Sequence, residues 1–112
     1  LEILTRKKAG GVTLVVRGEV DFGNAASLRR HLEGQSAPEV EVDLGELAFL
    51  DSSGAGAMLE AAARLFRRGQ VMRVVNVPGE IKESLDLIGF FVALAALECG
   101  AGEPKGGAGG GR

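Results

Sequence analysis

The stretch Phe49-Leu50-Asp51-Ser52-Ser53-Gly54-Ala55-Gly56 decides the fold. It reads as the end of a buried strand, a short polar turn and the opening of a helix. Upstream, Val40-Glu41-Val42-Asp43-Leu44 alternates apolar and polar side chains as a strand does. Downstream, a helical run closes at Arg67-Arg68-Gly69. The serines therefore fall at a helix N-terminus, where backbone N–H groups lack intrahelical partners and the helix dipole presents partial positive charge. That position suits a capping hydroxyl, and it also suits an anion.

Two readings compete for these residues. Asp and Ser are favoured caps, and any strand-to-helix turn needs one. Yet one Ser would suffice for a cap, and here two stand beside an Asp. Gly54-Ala55-Gly56-Ala57 also places minimal side chains in the first turn, glycine against the propensity ranking. Small residues there either leave the serine hydroxyls open to a macromolecule or let the helix pack closely on the sheet.

The composition bounds what the rest can be. A chain of 112 residues makes one domain with a single two-layer core. Its formal net charge of −2 gives no electrostatic case for direct nucleic-acid binding or for an acidic membrane surface. The single cysteine, Cys99, cannot form an internal disulfide, which favours a reducing compartment and a cytoplasmic location. The longest apolar stretch, Phe90 to Leu97, is far too short to span a bilayer, so membrane insertion is not expected. The chain opens on Leu1 rather than Met, as a trimmed terminus or a domain excised from a larger protein would.

Leu1 to Arg6 alternates, and Val12-Thr13-Leu14-Val15-Val16-Arg17 is strongly β-branched. Around Ala9-Gly10-Gly11 these form a hairpin with the first strand at a sheet edge, which Arg6, Lys7 and Lys8 keep solvated. Gly18-Glu19-Val20-Asp21 ends the second strand. A helix from about Asn24 to Glu33 follows, with Asn24 a candidate cap and Ala25, Leu28 and Leu32 on one face. Gly45 to Ala48 reads as a turn, after which Phe49 and Leu50 enter the core. In the central helix Leu59, Ala62 and Phe66 point inward, and Glu60 and Arg64 form an i,i+4 pair on the other side. Val71 to Val77 is a strand that pairs in parallel, and a third helix runs from about Glu80 to Ile88. Phe90 to Leu97 could be strand or helix, because a brief apolar run does not decide by period. From Gly100 a glycine-rich tail is expected to be flexible. The order is ββαβαβα plus one undecided element, an α/β domain over residues 1–99 with a mostly parallel sheet and an antiparallel edge strand, then a tail over 100–112.

Several chemistries are absent. No phosphate-binding GxxxxGK[ST] loop is present, and Gly54-x-Gly56 is too brief for a dinucleotide fingerprint. No His/Cys cluster offers metal ligands, and the lone His31 has no partner residue. Asp51 and Asp43, eight residues apart, are weak evidence for a divalent ion. No motif places a base to activate Ser52. Neither a catalytic residue, a metal nor a cofactor is expected; the chain reads as a substrate or partner of chemistry.

Three stretches in order give the chain a resemblance to the STAS domain, and most closely to the stand-alone bacterial anti-sigma-factor antagonists. They are Val15-Val16-Arg17-Gly18-Glu19-Val20-Asp21, then Val42-Asp43-Leu44 through Phe49-Leu50-Asp51-Ser52-Ser53-Gly54-Ala55-Gly56, then Leu85-Asp86-Leu87-Ile88-Gly89-Phe90. The resemblance implies a STAS-like single domain with helices packed mainly on one face of the sheet. It implies phosphorylation at Ser52 by a partner that is both serine kinase and anti-sigma factor, with a PP2C-type phosphatase restoring the unmodified form. It also implies that Asp21, Asp51, Ser53 and Gly54 line the docking surface. The chain departs from the family at Ala55, where a larger aliphatic residue is common, and after Gly89, where the expected strand and helix are poorly matched. Two other roles stay open: a STAS subunit of a transporter (lipid or ABC-type) or stressosome-like scaffold, and small-ligand or nucleotide binding at the helix N-terminus.

Overall fold

The computed structural model describes residues 1–99; the glycine-rich tail expected over 100–112 lies outside them. The chain runs β1 (Glu2–Lys8), β2 (Gly11–Val20), α1 (Ala25–Glu33), β3 (Glu39–Asp43), β4 (Leu47–Leu50), α2 (Ser52–Arg67), β5 (Val71–Val75), α3 (Gly79–Leu87) and α4 (Phe90–Glu98). Strand order is β1-β2-β3-β5, with β4 paired to β2 off this path. The β1–β2 pair is antiparallel, and the β2–β3, β2–β4 and β3–β5 pairs are parallel. The mostly parallel α/β domain with an antiparallel edge strand is thus the observed fold.

Alternation along each strand separates the two faces of the sheet. Val12, Leu14, Val16, Val40, Val42 and Met72 enter a core completed by Leu28, Leu32, Met58, Leu65, Leu85 and Phe90 from the helices. The opposite face carries charge. Lys8 lies within 3.4 Å of Glu41, Arg73 within 2.9 Å of Glu39, and Arg17 pairs with Glu46 and Glu2. The hydrogen bond from Arg73 holds the Glu39 carboxyl below the usual range, with Lys8 assisting and partial desolvation opposing.

Four details differ from the sequence reading. Leu47 and Ala48 belong to a strand rather than a turn, and the strand end read at Phe49-Leu50 is part of this separate element, β4, which pairs Gly18 with Leu47, Glu19 with Phe49 and Val20 with Leu50 across an irregularity at Gly18/Glu19. Leu47 and Leu50 face inward, whereas Phe49 is 47% exposed and does not enter the core. Asn24 is no side-chain cap; its amide bridges the preceding turn. Glu60 and Arg64 do not pair with each other but reach across to α1, to Arg29 and Glu33 respectively.

The undecided last element is a helix. Gly89 adopts φ 74°, a left-handed conformation that suits glycine and turns the chain between α3 and α4. Phe90 then sits fully buried, edge-on to Phe91 at 5.1 Å, and α4 packs against α2 and α3.

Candidate functional site

The parallel strands β2 and β4 end side by side, and α2 leaves from that edge. Ligand sites in α/β folds gather at such carboxyl ends. The Asp51 N–H donates to the Val20 carbonyl (3.2 Å), which locks the end of β4 to the end of β2. Asp51 is extended (φ −99°, ψ −177°), and its Oδ1 accepts the Gly54 N–H at 3.1 Å. Asp51 is therefore the cap, and the cap does not depend on either serine. Ser52 is exposed on the first turn and Ser53 is half-buried beside it.

Close packing explains one of the two glycines. A Cβ on Gly54 would stand 2.4 Å from Leu50 Cδ1 and 2.7 Å from Val20 Cγ1, so α2 begins directly on the sheet. Gly54 is buried and shapes the site from beneath. A Cβ on Gly56 would meet nothing within 4 Å, so packing does not require glycine there. Ala55, 1% exposed, lies fully in the core.

The turn after β2 is equally well fixed. Asp21 Oδ1 accepts the Gly23 N–H at 2.9 Å. Asn24 Oδ1 accepts the Asp21 N–H, and Asn24 Nδ2 donates to the Glu19 carbonyl, both at 2.9 Å. The Asp21 carbonyl accepts from Ala25 N at 2.9 Å. At the tip of this clamped turn Phe22 is 87% exposed.

Ser84 and Leu85 on α3 and Ile88 at its C-terminal cap join Phe49, Leu50, Asp51 and Ser52 around a hollow of about 250 Å³. The structure thus brings Asp51 and Ser52 into one hollow, with Ser53 and Gly54 on the same helical turn. Asp21 is tied to the neighbouring strand end through the Val20–Asp51 bond. Phe22, the outward Phe49, Ser84 on α3 and Ile88 just after it are the part that sequence reasoning missed. An aromatic between Asp21 and Gly23 in a polar turn was the available signal for Phe22; nothing local marked Ser84 or Ile88.

Chemically the hollow presents two hydroxyls, Ser52 and Ser84, a capping carboxylate and an apolar wall. His31, the sole histidine, is exposed on α1 and does not line it. Among the described residues no group of three or more His, Cys, Asp or Glu is placed to hold a metal, and no helix is long and apolar enough to cross a membrane.

Fold and site together define a small α/β domain whose distinctive feature is a hydroxyl-bearing helix start at the carboxyl edge of its sheet. The model of the STAS domain matches residues 2–96, and the chain belongs to that family. Similar solved structures include the anti-sigma factor antagonist SpoIIAA in its unphosphorylated form, at 19% identity and TM-score 0.67 over 80% of this chain and 82% of that one. An anti-sigma factor antagonist from Mycobacterium paratuberculosis matches at 21% identity and TM-score 0.67, over 86% and 92%. A sulfate transporter family protein from Wolinella succinogenes matches at 21% identity and TM-score 0.68, over 78% and 73%. Likenesses at these identities carry the fold.

Proposed function

We propose that this chain is a non-enzymatic, cytoplasmic anti-sigma-factor antagonist switched at Ser52. Unmodified, it binds an anti-sigma factor that is also a serine kinase; phosphorylated at Ser52, it releases that partner; a PP2C-type phosphatase reverses the change. The observation that carries this reading is the division of labour at the start of α2. Asp51 caps the helix, and the exposed Ser52 hydroxyl is left accessible.

Electrostatics supports a switch that spares the fold. A phosphoryl group adds about −1.5 to −2 charges. The free N–H groups and dipole of the first helical turn accommodate that charge at Ser52. The neighbouring Asp51 carboxylate makes the same patch more acidic, so a partner fitted to a neutral hydroxyl meets both bulk and uncompensated charge. Juxtaposed like charges at an interface cost several kcal/mol. In this account Asp21, Asp51 and Ser53 frame the docking surface, and Gly54 holds the helix start against the sheet.

Incubating the full chain with ATP and histidine-kinase-like serine kinases encoded in the same genome tests the proposal. Mass spectrometry should find phosphate on Ser52, and Ser52→Ala should abolish it while keeping the kinase bound. Modification elsewhere, or binding unaffected by Ser52→Asp, would contradict it. A second reading, a transporter-associated or stressosome-like STAS subunit, is favoured by the equal likeness to the Wolinella succinogenes protein. It predicts recovery of a transporter or scaffold subunit on the same surface, with Ser52 unmodified.

A further inference from the structure

Of the exposed large apolar side chains, Phe49 (47% exposed) and Ile88 (55%) line the hollow at the start of α2, and Phe22 (87%) stands two residues after Val20, whose carbonyl is bonded to Asp51. Small soluble domains keep such side chains scattered, and a cluster of them marks a contact surface. They are presented in different ways. Phe22 projects from a turn whose backbone is fixed by the Asp21 and Asn24 hydrogen bonds, so the chain beneath the ring need not be ordered when something closes over it. Phe49 and Ile88 instead form the walls of the hollow that contains Ser52, with Leu85 at its buried side. One is a knob and the other a hole.

The charge around them is mainly acidic. Asp21 precedes Phe22, and Asp51 lines the hollow. Glu83 shares a shallow depression with Leu87 and Asp86. Lys82, the only cation in α3, is held by Asp86 at 3.0 Å. An acidic rim around apolar anchors is complementary to a protein with a basic rim around apolar anchors of its own.

We propose that the partner grips this face at two points: a pocket on the partner takes in Phe22, and an apolar side chain of the partner fills the hollow between Phe49, Leu85 and Ile88, with lysine or arginine facing Asp21, Asp51 and Glu83. The occupant is a folded protein. The proposal rests on the reading of the Ser52 face as a docking face and adds what sets its specificity. It also gives phosphorylation a local mechanism, since a group on Ser52 occupies the mouth of the hollow that the partner's side chain must enter.

The test places benzoylphenylalanine at position 22, at position 88, and at Arg67 on the far end of α2 as a control, in the full chain within cells that make it. Irradiation should link positions 22 and 88 to one and the same protein and leave position 67 unlinked. The peptide joined to position 22 should lie in an apolar pocket flanked by Lys or Arg. With that protein purified, Phe22→Ala and Ile88→Ala should each weaken binding about tenfold or more. Glu83→Lys should weaken it further at low salt and flatten its salt dependence. All three side chains are exposed, so the variants keep the fold. Links to different proteins at the two positions, links to nucleic acid or lipid, no link, or affinities within about twofold of the parent would overturn the proposal. A captured protein without kinase activity would overturn the Ser52 switch and keep the anchors; phosphate on Ser52 in the same cells without links at 22 and 88 would do the reverse.

Discussion

The two ends of α2 are both polar and both hollowed, yet they are organised differently. At the C-terminal end most of the charges answer one another within the chain, with Arg67 the exception among the described residues there. Arg29 lies 3.2 Å from Glu33 and 3.6 Å from Glu60, and Arg64 lies 3.7 Å from Glu33. Arg68 donates to the Glu33 carbonyl at 2.7 Å, and Gln70 to the Gln35 and Ala37 carbonyls at 2.8 and 2.9 Å. The hollow there, about 480 Å³, is larger than the one at Ser52. At the N-terminal end the backbone is tightly fixed, but the exposed side chains are not engaged in the same way: Ser52, Phe22 and Ile88 face outward from a rigid support. Ion pairs around the larger hollow join α1 to α2; the smaller one is the hollow proposed to receive another molecule. What separates them is whether the side chains find their partners inside the chain, not the size of the depression.

Gly54→Ala should produce the largest loss of stability at the N-terminal end. Its Cβ meets Val20 and Leu50 below van der Waals distance, and overpacking of that kind costs about 1–3 kcal/mol. Gly56→Ala, with open space around the new Cβ, should stabilise by a few tenths to about 1 kcal/mol through helix propensity. Denaturant unfolding of the two variants gives the comparison directly; equal effects would show that α2 does not start in close contact with the sheet.

Asp51→Ala should cost about 1 kcal/mol as a lost cap, whereas Ser52→Ala should change stability by less than about 0.5 kcal/mol. If the order were reversed, Ser52 would be the structural cap and the contrast between the two ends would fail. At the other end, Glu33→Gln should cost roughly 0.5–1 kcal/mol by weakening its pairs with Arg29 and Arg64. It should leave partner affinity unchanged within about twofold.

The smallest effect is expected from the charged face of the sheet. The lowered pKa of Glu39 means that its folded form binds a proton less readily than its unfolded form. Its contribution is therefore complete above the ordinary carboxylate range and is lost as pH falls through the lowered folded value. Glu39→Gln should scarcely change the melting temperature contributed by other groups, but it should flatten the acid side of a stability–pH profile. An unchanged acid slope would mean that the Arg73–Glu39 pair is as weak as most exposed pairs.

Much of this was legible in the sequence because alternation and capping are local. The β-branched run at Val12–Val16, the Val40–Leu44 alternation and the Asp-Ser-Ser-Gly turn each declared an element without help from the rest of the chain. The failures share a cause in tertiary context. β4 has only four residues, buried at its two ends and exposed between, so no period marked its start or set it apart as a strand of its own. Phe49 looked like a core residue from its chemistry, but the pairing with β2 turns it outward. Phe90–Leu97 is apolar on all sides, and only its packing against α2 and α3 settles it as a helix. Ser52 could be found from sequence; the hollow around it could not, because Ser84 and Ile88 arrive from more than thirty residues away through the β5–α3 connection.

The most direct measurement compares the chain phosphorylated stoichiometrically at Ser52 with the unmodified chain, recording thermal unfolding and affinity for the kinase that modified it. The account predicts a melting temperature shifted by no more than a few degrees, together with at least a hundredfold loss of affinity, about 2.7 kcal/mol. A phosphorylated chain that unfolds, or one that binds as tightly as before, would contradict the claim that the Ser52 hydroxyl is free of structural duty and serves as the switch.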